Sequence, residues 1–140
     1  MIKVIIAGSR HIVNAKQVEE AFREWATKKG VRYLHNVAII SGGARGVDTM
    51  GEIFAKENGI NLIICPANWD YHNKGAGHKR NAFMAEVADE LIAVWDGEST
   101  GTKNMITTML KLKKPVHITL AKPRTILKLK RRKTSCQKKD

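Results

Sequence analysis

Apolar positions along the chain follow two rhythms. Ile2, Val4, Ile5 and Ile6, then Val37 to Ile40, then Ile60 with Leu62 to Cys65, then Leu91 to Trp95, and finally Val116 to Leu120 form short, nearly continuous runs. Such runs suit strands buried on both faces of a parallel sheet. Between them the apolar residues recur every three or four positions, as Val18, Ala21, Phe22 and Trp25; Val47, Met50, Phe54 and Ala55; Met84, Val87 and Ala88; and Met105, Met109 and Leu112. That spacing predicts helices with one buried stripe each. Asn14 is a helix-capping residue, Lys28, Lys29 and Gly30 make a basic end with a stop, and Asn58 and Gly59 supply a second stop. The third helix is expected to start near Arg80. Thr125 to Lys130 alternates enough to add a C-terminal edge strand.

The resulting order, β-α-β-α-β-loop-α-β-α-β, predicts an α/β fold: a three-layer, Rossmann-like parallel sheet of about five strands with helices on both faces. Right-handed crossovers bring all strand carboxyl ends to one edge, where open sheets of this kind bind ligands. The residues assembled there change the picture from fold to chemistry. Ser41 to Asp48, SGGARGVD, puts Gly42, Gly43 and Gly46 with Arg45 between a strand and a helix. Glycine lets backbone N–H groups and a helix amino end approach an anion, and arginine adds a fork matched to phosphate. Gly8, Ser9 and Arg10 repeat the theme after the first strand, and Asp96, Gly97, Ser99, Gly101, Thr102 and Asn104 after the fourth. Trp69, beside polar residues after Pro66, suits stacking on a base, while Arg80 and Asn81 open the following helix. Neither GxGxxG nor GxxxxGK[ST] is present, which argues against an ordinary dehydrogenase or P-loop NTPase.

The 140 residues carry a net charge of +12, and from Lys122 to Asp140 nine basic residues face one acid. The expected organisation is therefore a domain over 1–121 and a basic tail over 122–140. Lys122 to Lys139 suits contact with nucleic-acid phosphates, although a solvated tail reads the same way. Cys65 and Cys136 form no CxxC, and His72 and His78 lack ligand partners at metal spacing, so neither a disulfide framework nor a metal is expected. No stretch approaches the roughly 20 apolar residues of a membrane span, and a cytoplasmic location is expected.

GSR at Gly8 to Arg10, SGGARGVD at Ser41 to Asp48, PANW at Pro66 to Trp69, GHKRN at Gly77 to Asn81 and WDGESTGTKN at Trp95 to Asn104 occur in an order that closely resembles the YspA-like branch of the SLOG superfamily. The resemblance covers residues 2–120 and implies a Rossmann-like domain for nucleotides or nucleotide-derived ligands, commonly pairing through a helical face as a homo-oligomer. It also links the chain, more distantly, to two families with different activities. The LOG phosphoribohydrolases cleave a nucleotide N-glycosidic bond with an arginine and a glutamate; Arg80 resembles the first, but Met105 stands at the place of the second. DNA-processing protein A shares GSR and the glycine turn, and grips single-stranded DNA.

The function expected from the sequence is binding of an NAD-derived, ADP-ribose-like or nucleoside phosphate ligand by a sensor or sequestering protein. Gly8, Ser9, Gly42, Gly43, Gly46, Gly101 and Thr102 are expected to contact phosphate, Arg10, Arg45 and Arg80 to neutralise it, and Asp96 and Asn104 to take ribose hydroxyls. Replacing Arg45 by alanine is expected to cost the ~1.5–3 kcal/mol of a charge-assisted hydrogen bond. A nucleotide hydrolase using Arg80, and a single-stranded nucleic-acid binder using the tail, are the other two readings.

Overall fold

The computed structural model describes residues 1–12, 14–67 and 75–121. In chain order they form β1 (Ile2–Gly8), α1 (Ala15–Lys29), a 3-10 turn (Leu34–Asn36), β2 (Val37–Ser41), α2 (Val47–Glu57), β3 (Asn61–Ile64), α3 (Ala76–Val87), β4 (Glu90–Trp95), α4 (Thr100–Lys111) and β5 (Val116–Leu120). The five strands make one all-parallel sheet in the order β3-β2-β1-β4-β5.

Strand alternation sorts the core into two layers. Val4, Ile6, Ile39, Ile92 and Val94 meet Val18, Phe22 and Trp25 of α1 and Phe54 of α2 on one face. The rings of Phe22 and Phe54 lie 5.0 Å apart, centroid to centroid, and those of Phe22 and Trp25 5.5 Å. Ile5, Ile40, Leu91 and Ala93 meet Met84 and Ala85 of α3 and Met105, Ile106 and Met109 of α4 on the other.

Local signals explain the helix ends. Asn14 caps α1 by accepting from the Lys16 N–H at 3.0 Å, and Gly30 closes it at φ 78°. The basic end of α1 has a partner: Lys29 pairs with Glu90, which also accepts from the Trp25 indole at 3.1 Å, tying α1 to the start of β4. At the far end of α3, the Lys114 ammonium donates to the carbonyls of Ala85, Glu86 and Ala88 at 2.7, 2.9 and 2.8 Å. These carbonyls have no helical partner of their own, so a cation there is well matched.

Three expectations are corrected. Among the described residues β3, which reads as a buried strand, lies at the sheet edge with β2 as its one strand neighbour, leaving Ile63 and Ile64 42% and 46% exposed. Leu112 is not on the buried stripe of α4: it follows the last helical residue and is 44% exposed, while Thr102, Met105, Ile106 and Met109 face inward. The third helix begins at Ala76 rather than near Arg80, because the glycines read as loop punctuation sit before and within its first turn. Thr125 to Lys130 and Trp69 lie outside the described residues. Among the described residues, no helix is long and apolar enough to cross a membrane.

Candidate functional site

The strand order creates the site. From β1 the chain moves outward through β2 and β3 on one side, then returns to build β4 and β5 on the other. The connections leaving β1 and β4 therefore diverge at their carboxyl ends and leave a crevice. A cavity of about 520 Å³ opens there. The loop after β1, the start of α2, the first turns of α3 and the amino end of α4 all reach it.

The loop after β1 is locked from below. Ser9 is fully buried; its carbonyl accepts from the N–H groups of Ile12 and Val47, and its hydroxyl accepts from the Asp96 N–H at 3.1 Å and from the Ser99 hydroxyl at 3.0 Å. Gly46 lies against it at φ 74°, and a side chain at that position would run into the carbonyl groups of Ser9 and Arg10. Glycine is required there on both counts. This packing leaves Arg10 and His11 on the cavity wall.

Arg80 enters from α3. Its Nη1 donates to the Gly42 carbonyl at 2.6 Å and its Nε to the Asn81 Oδ1 at 2.9 Å. Burial lowers the Arg80 pKa from its ordinary value, Asp48 opposes that, and nearby Arg10 adds to it. Asn81 is itself buried and spans the gap between helices, donating to the Asn104 Oδ1 at 2.8 Å and to the Gly101 carbonyl at 3.3 Å. The guanidinium is thus held from two sides.

Asp48, in the first turn of α2, is 5% exposed and lines the same cavity. Its Oδ2 accepts from the Ala44 N–H at 3.3 Å. Burial pushes its carboxyl up to about 6, against the pull of the Ala44 N–H and of Arg80. Opposite it, the amino end of α4 reaches the cavity through Ser99, Thr100, Gly101 and Thr102 with no side chain capping it. Such an end, beside Arg10 and Arg80, favours an anion.

Most of the sequence-derived candidates fall into two groups. Gly8, Arg10, Asp48, Arg80, Asn81, Ser99, Gly101 and Thr102 converge on the cavity. Ser9, Ser41, Gly42, Gly46 and Asn104 stand behind it, with Gly43 exposed on the turn: Ser41 donates to Glu52 at 2.6 Å and accepts from the Gly43 N–H, and Asn104 accepts from Asn81. Arg45 is exposed on the glycine turn, outside the cavity wall. Gly97 turns at φ 85° beside Asp96, whose carboxylate serves its own loop, accepting from the N–H groups of Glu98 and Ser99 at 2.8 Å and from the Ser99 hydroxyl at 3.1 Å. Burial works against the Asp96 charge, but these bonds and that of the Ser9 hydroxyl outweigh it and hold the carboxyl below the usual range. His11 approaches it at 3.2 Å. Glu52, His11 and His78 were not legible as site residues, since nothing in their spacing distinguishes them from surface positions. Among the described residues no cluster has the composition of a metal site.

Comparison with known proteins agrees with this fold. A profile of the YspA, cpYpsA-related SLOG family matches residues 2–72. Gene 61 protein of Mycobacterium phage D29 is 30% identical over 122 residues, covering 83% of this chain and 94% of the phage protein. DNA processing protein A (DprA) from Streptococcus pneumoniae superposes with a TM-score of 0.70 at 19% identity, over 88% of this chain and 52% of that one. This chain thus spans about half of that protein. DNA processing protein A from Helicobacter pylori, described for its single-stranded DNA binding mode, superposes at 0.63 with 21% identity over 87% of this chain and 66% of that one. The molybdenum cofactor binding protein of Rippkaea orientalis does so at 0.63 with 18% identity, over 91% and 82%. The structural likenesses concern the fold.

Proposed function

The chain belongs to the YspA, cpYpsA-related SLOG family, and from that premise we propose that its cavity binds the phosphate of a nucleotide or nucleotide-derived ligand, as a sensor or sequestering protein. One observation carries this reading: Arg10, Arg80 and the uncapped amino end of α4 share one concavity at the switch point of a parallel sheet. Fixed positive groups that converge on one concavity are the chemistry of phosphate recognition. The cavity volume is within the roughly 300–1,000 Å³ of small-ligand pockets.

Binding is favoured over hydrolysis by Met105. It is buried and lines the cavity at the place where the phosphoribohydrolase pattern has glutamate, so that carboxylate is missing from the position that would stabilise a cationic transition state. A second reading, single-stranded nucleic-acid binding, draws on the likeness to DNA processing protein A and on the nine basic residues between Lys122 and Lys139. In this scheme residues 1–121 bind the small ligand and residues 122–140 serve nucleic acid.

Mass spectrometry of small molecules released from the purified protein, with thermal-shift screening of nucleoside phosphates, ADP-ribose and NAD, tests the proposal. A phosphorylated nucleoside that stabilises the protein without being consumed supports it. Turnover of that compound would make the protein a hydrolase. Stabilisation by oligonucleotides alone, lost on deleting residues 122–140 and steeply weakened by salt, would favour the second reading.

A further inference from the structure

Asp48 is the one carboxylate on the cavity wall among the described residues. Its Oδ2 lies 3.0 Å from the point where a Gly42 side chain would begin, and Arg80 Nη1 lies 2.5 Å from that same point. The carboxylate and the guanidinium therefore flank one stretch of bare backbone and feel each other's charge. Other charged or titratable groups are arranged around them. Glu52 follows on α2 and is engaged by the Ser41 hydroxyl, Arg10 and His11 come from the loop after β1, His78 shares α3 with Arg80, and Cys65 follows β3. The amino end of α4 brings no ionisable side chain to the cavity wall.

An anion drawn to Arg80 would place a second negative charge beside a carboxylate that is already buried. Two like charges on one guanidinium in a partly dehydrated cavity repel strongly, and the repulsion is relieved when one of them is protonated. The carboxyl is the group able to yield, because its burial has already brought it near neutrality. We propose that this cavity takes up its anionic ligand together with one solvent proton, which goes to Asp48, so that the ligand replaces Asp48 as the counter-ion of Arg80. The inference rests on the phosphate-binding reading and adds to it a regulation: the site loads more readily as pH falls.

The probes are inorganic sulfate and ADP-ribose, neither of which changes its phosphate or sulfate charge across the neutral range. Calorimetric titration in two buffers with different ionisation heats counts the protons taken up per ligand. The wild type should take up close to one proton at about pH 7.5 and almost none at about pH 5, its affinity falling toward tenfold per pH unit above about pH 6. Asp48→Asn should take up none, and should bind at about pH 7.5 as tightly as the wild type does in acid. A His11→Gln, His78→Gln double variant, whatever its affinity, should keep the uptake per ligand bound. Equal uptake by wild type and Asp48→Asn, or its loss in the histidine variant, would overturn the proposal. Should Asp48→Asn not fold, the histidine variant decides alone. Binding with no proton uptake sinks this inference only; failure of both probes to bind at any pH sinks the phosphate-binding reading with it.

Discussion

Arg80 donates a 2.6 Å hydrogen bond to the carbonyl oxygen of Gly42, 38 residues earlier in the chain. That bond joins the first turns of α3 to the glycine turn after β2 and holds a guanidinium at the cavity wall. Gly42 permits it by having no side chain. A methyl group there would begin 2.5 Å from Arg80 Nη1, 2.8 Å from its Cζ and 3.0 Å from Asp48 Oδ2. Gly42→Ala should therefore expel Arg80 from its seat, at a cost of about 1–3 kcal/mol in stability from overpacking. Thermal melts should show that loss, and nucleotide affinity should drop with it; unchanged values for both would mean the two groups are not packed as described.

Asn81 ties the same arginine to the second anion-favouring feature. It accepts from Arg80 and donates to Gly101 and Asn104 at the start of α4. Asn81→Leu keeps the bulk but strands these partners, which should cost about 1–3 kcal/mol in denaturant unfolding. Its effect on ligand affinity should shrink in an Arg80→Met background, because part of it acts through Arg80. Additive losses in the double-mutant cycle would count against that role.

The buried Asp48 makes stability pH-dependent in a sense opposite to that of most carboxylates. Its pKa rises from 3.8 to about 6 on folding, so between those values the folded protein holds a proton that the unfolded chain has released. Stability should fall as pH climbs through that window and level off above it, by an amount on the order of 3 kcal/mol. Asp48→Asn should therefore be more stable than the wild type at neutral pH, with the difference closing toward pH 4 as both side chains become neutral. Urea unfolding at several pH values measures this directly.

Lys114 offers a control that separates folding from binding. Its three bonds fasten the carboxyl end of α3, beyond Arg80 and Asn81. Lys114→Met should lower stability by about 1–2 kcal/mol. Ligand affinity measured at a temperature where the variant is folded should be unchanged.

Much of the fold was legible because period and punctuation agree along the chain. Runs such as Val37 to Ile40 read as strands, Val18 to Trp25 as a helical stripe, and Asn14 and Gly30 as its ends, and the structure has them there. Strand order was not legible, since β3 and β4 read alike as apolar runs; only their positions at the edge and in the middle of the sheet separate an exposed Ile64 from a buried Ile92. Glycines and arginines at strand ends pointed to the edge where the cavity opens. Their individual places depend on long-range contacts that local sequence does not encode. Arg45 and Arg80 look equally suited to phosphate, yet only Arg80 has a partner such as Gly42 to draw it to the cavity wall. Asp96 looked available, and is instead taken up by the backbone of its own turn.

The central claim is that Arg80 neutralises a phosphate in this cavity, and the most direct measurement is calorimetric titration of ADP-ribose and nucleoside phosphates into wild type, Arg80→Met and Arg45→Ala. Arg80→Met should weaken the binding of whichever ligand the wild type takes by the ~1.5–3 kcal/mol of a charge-assisted hydrogen bond, with Arg45→Ala having the smaller effect. Wild-type affinity retained by folded Arg80→Met would contradict it.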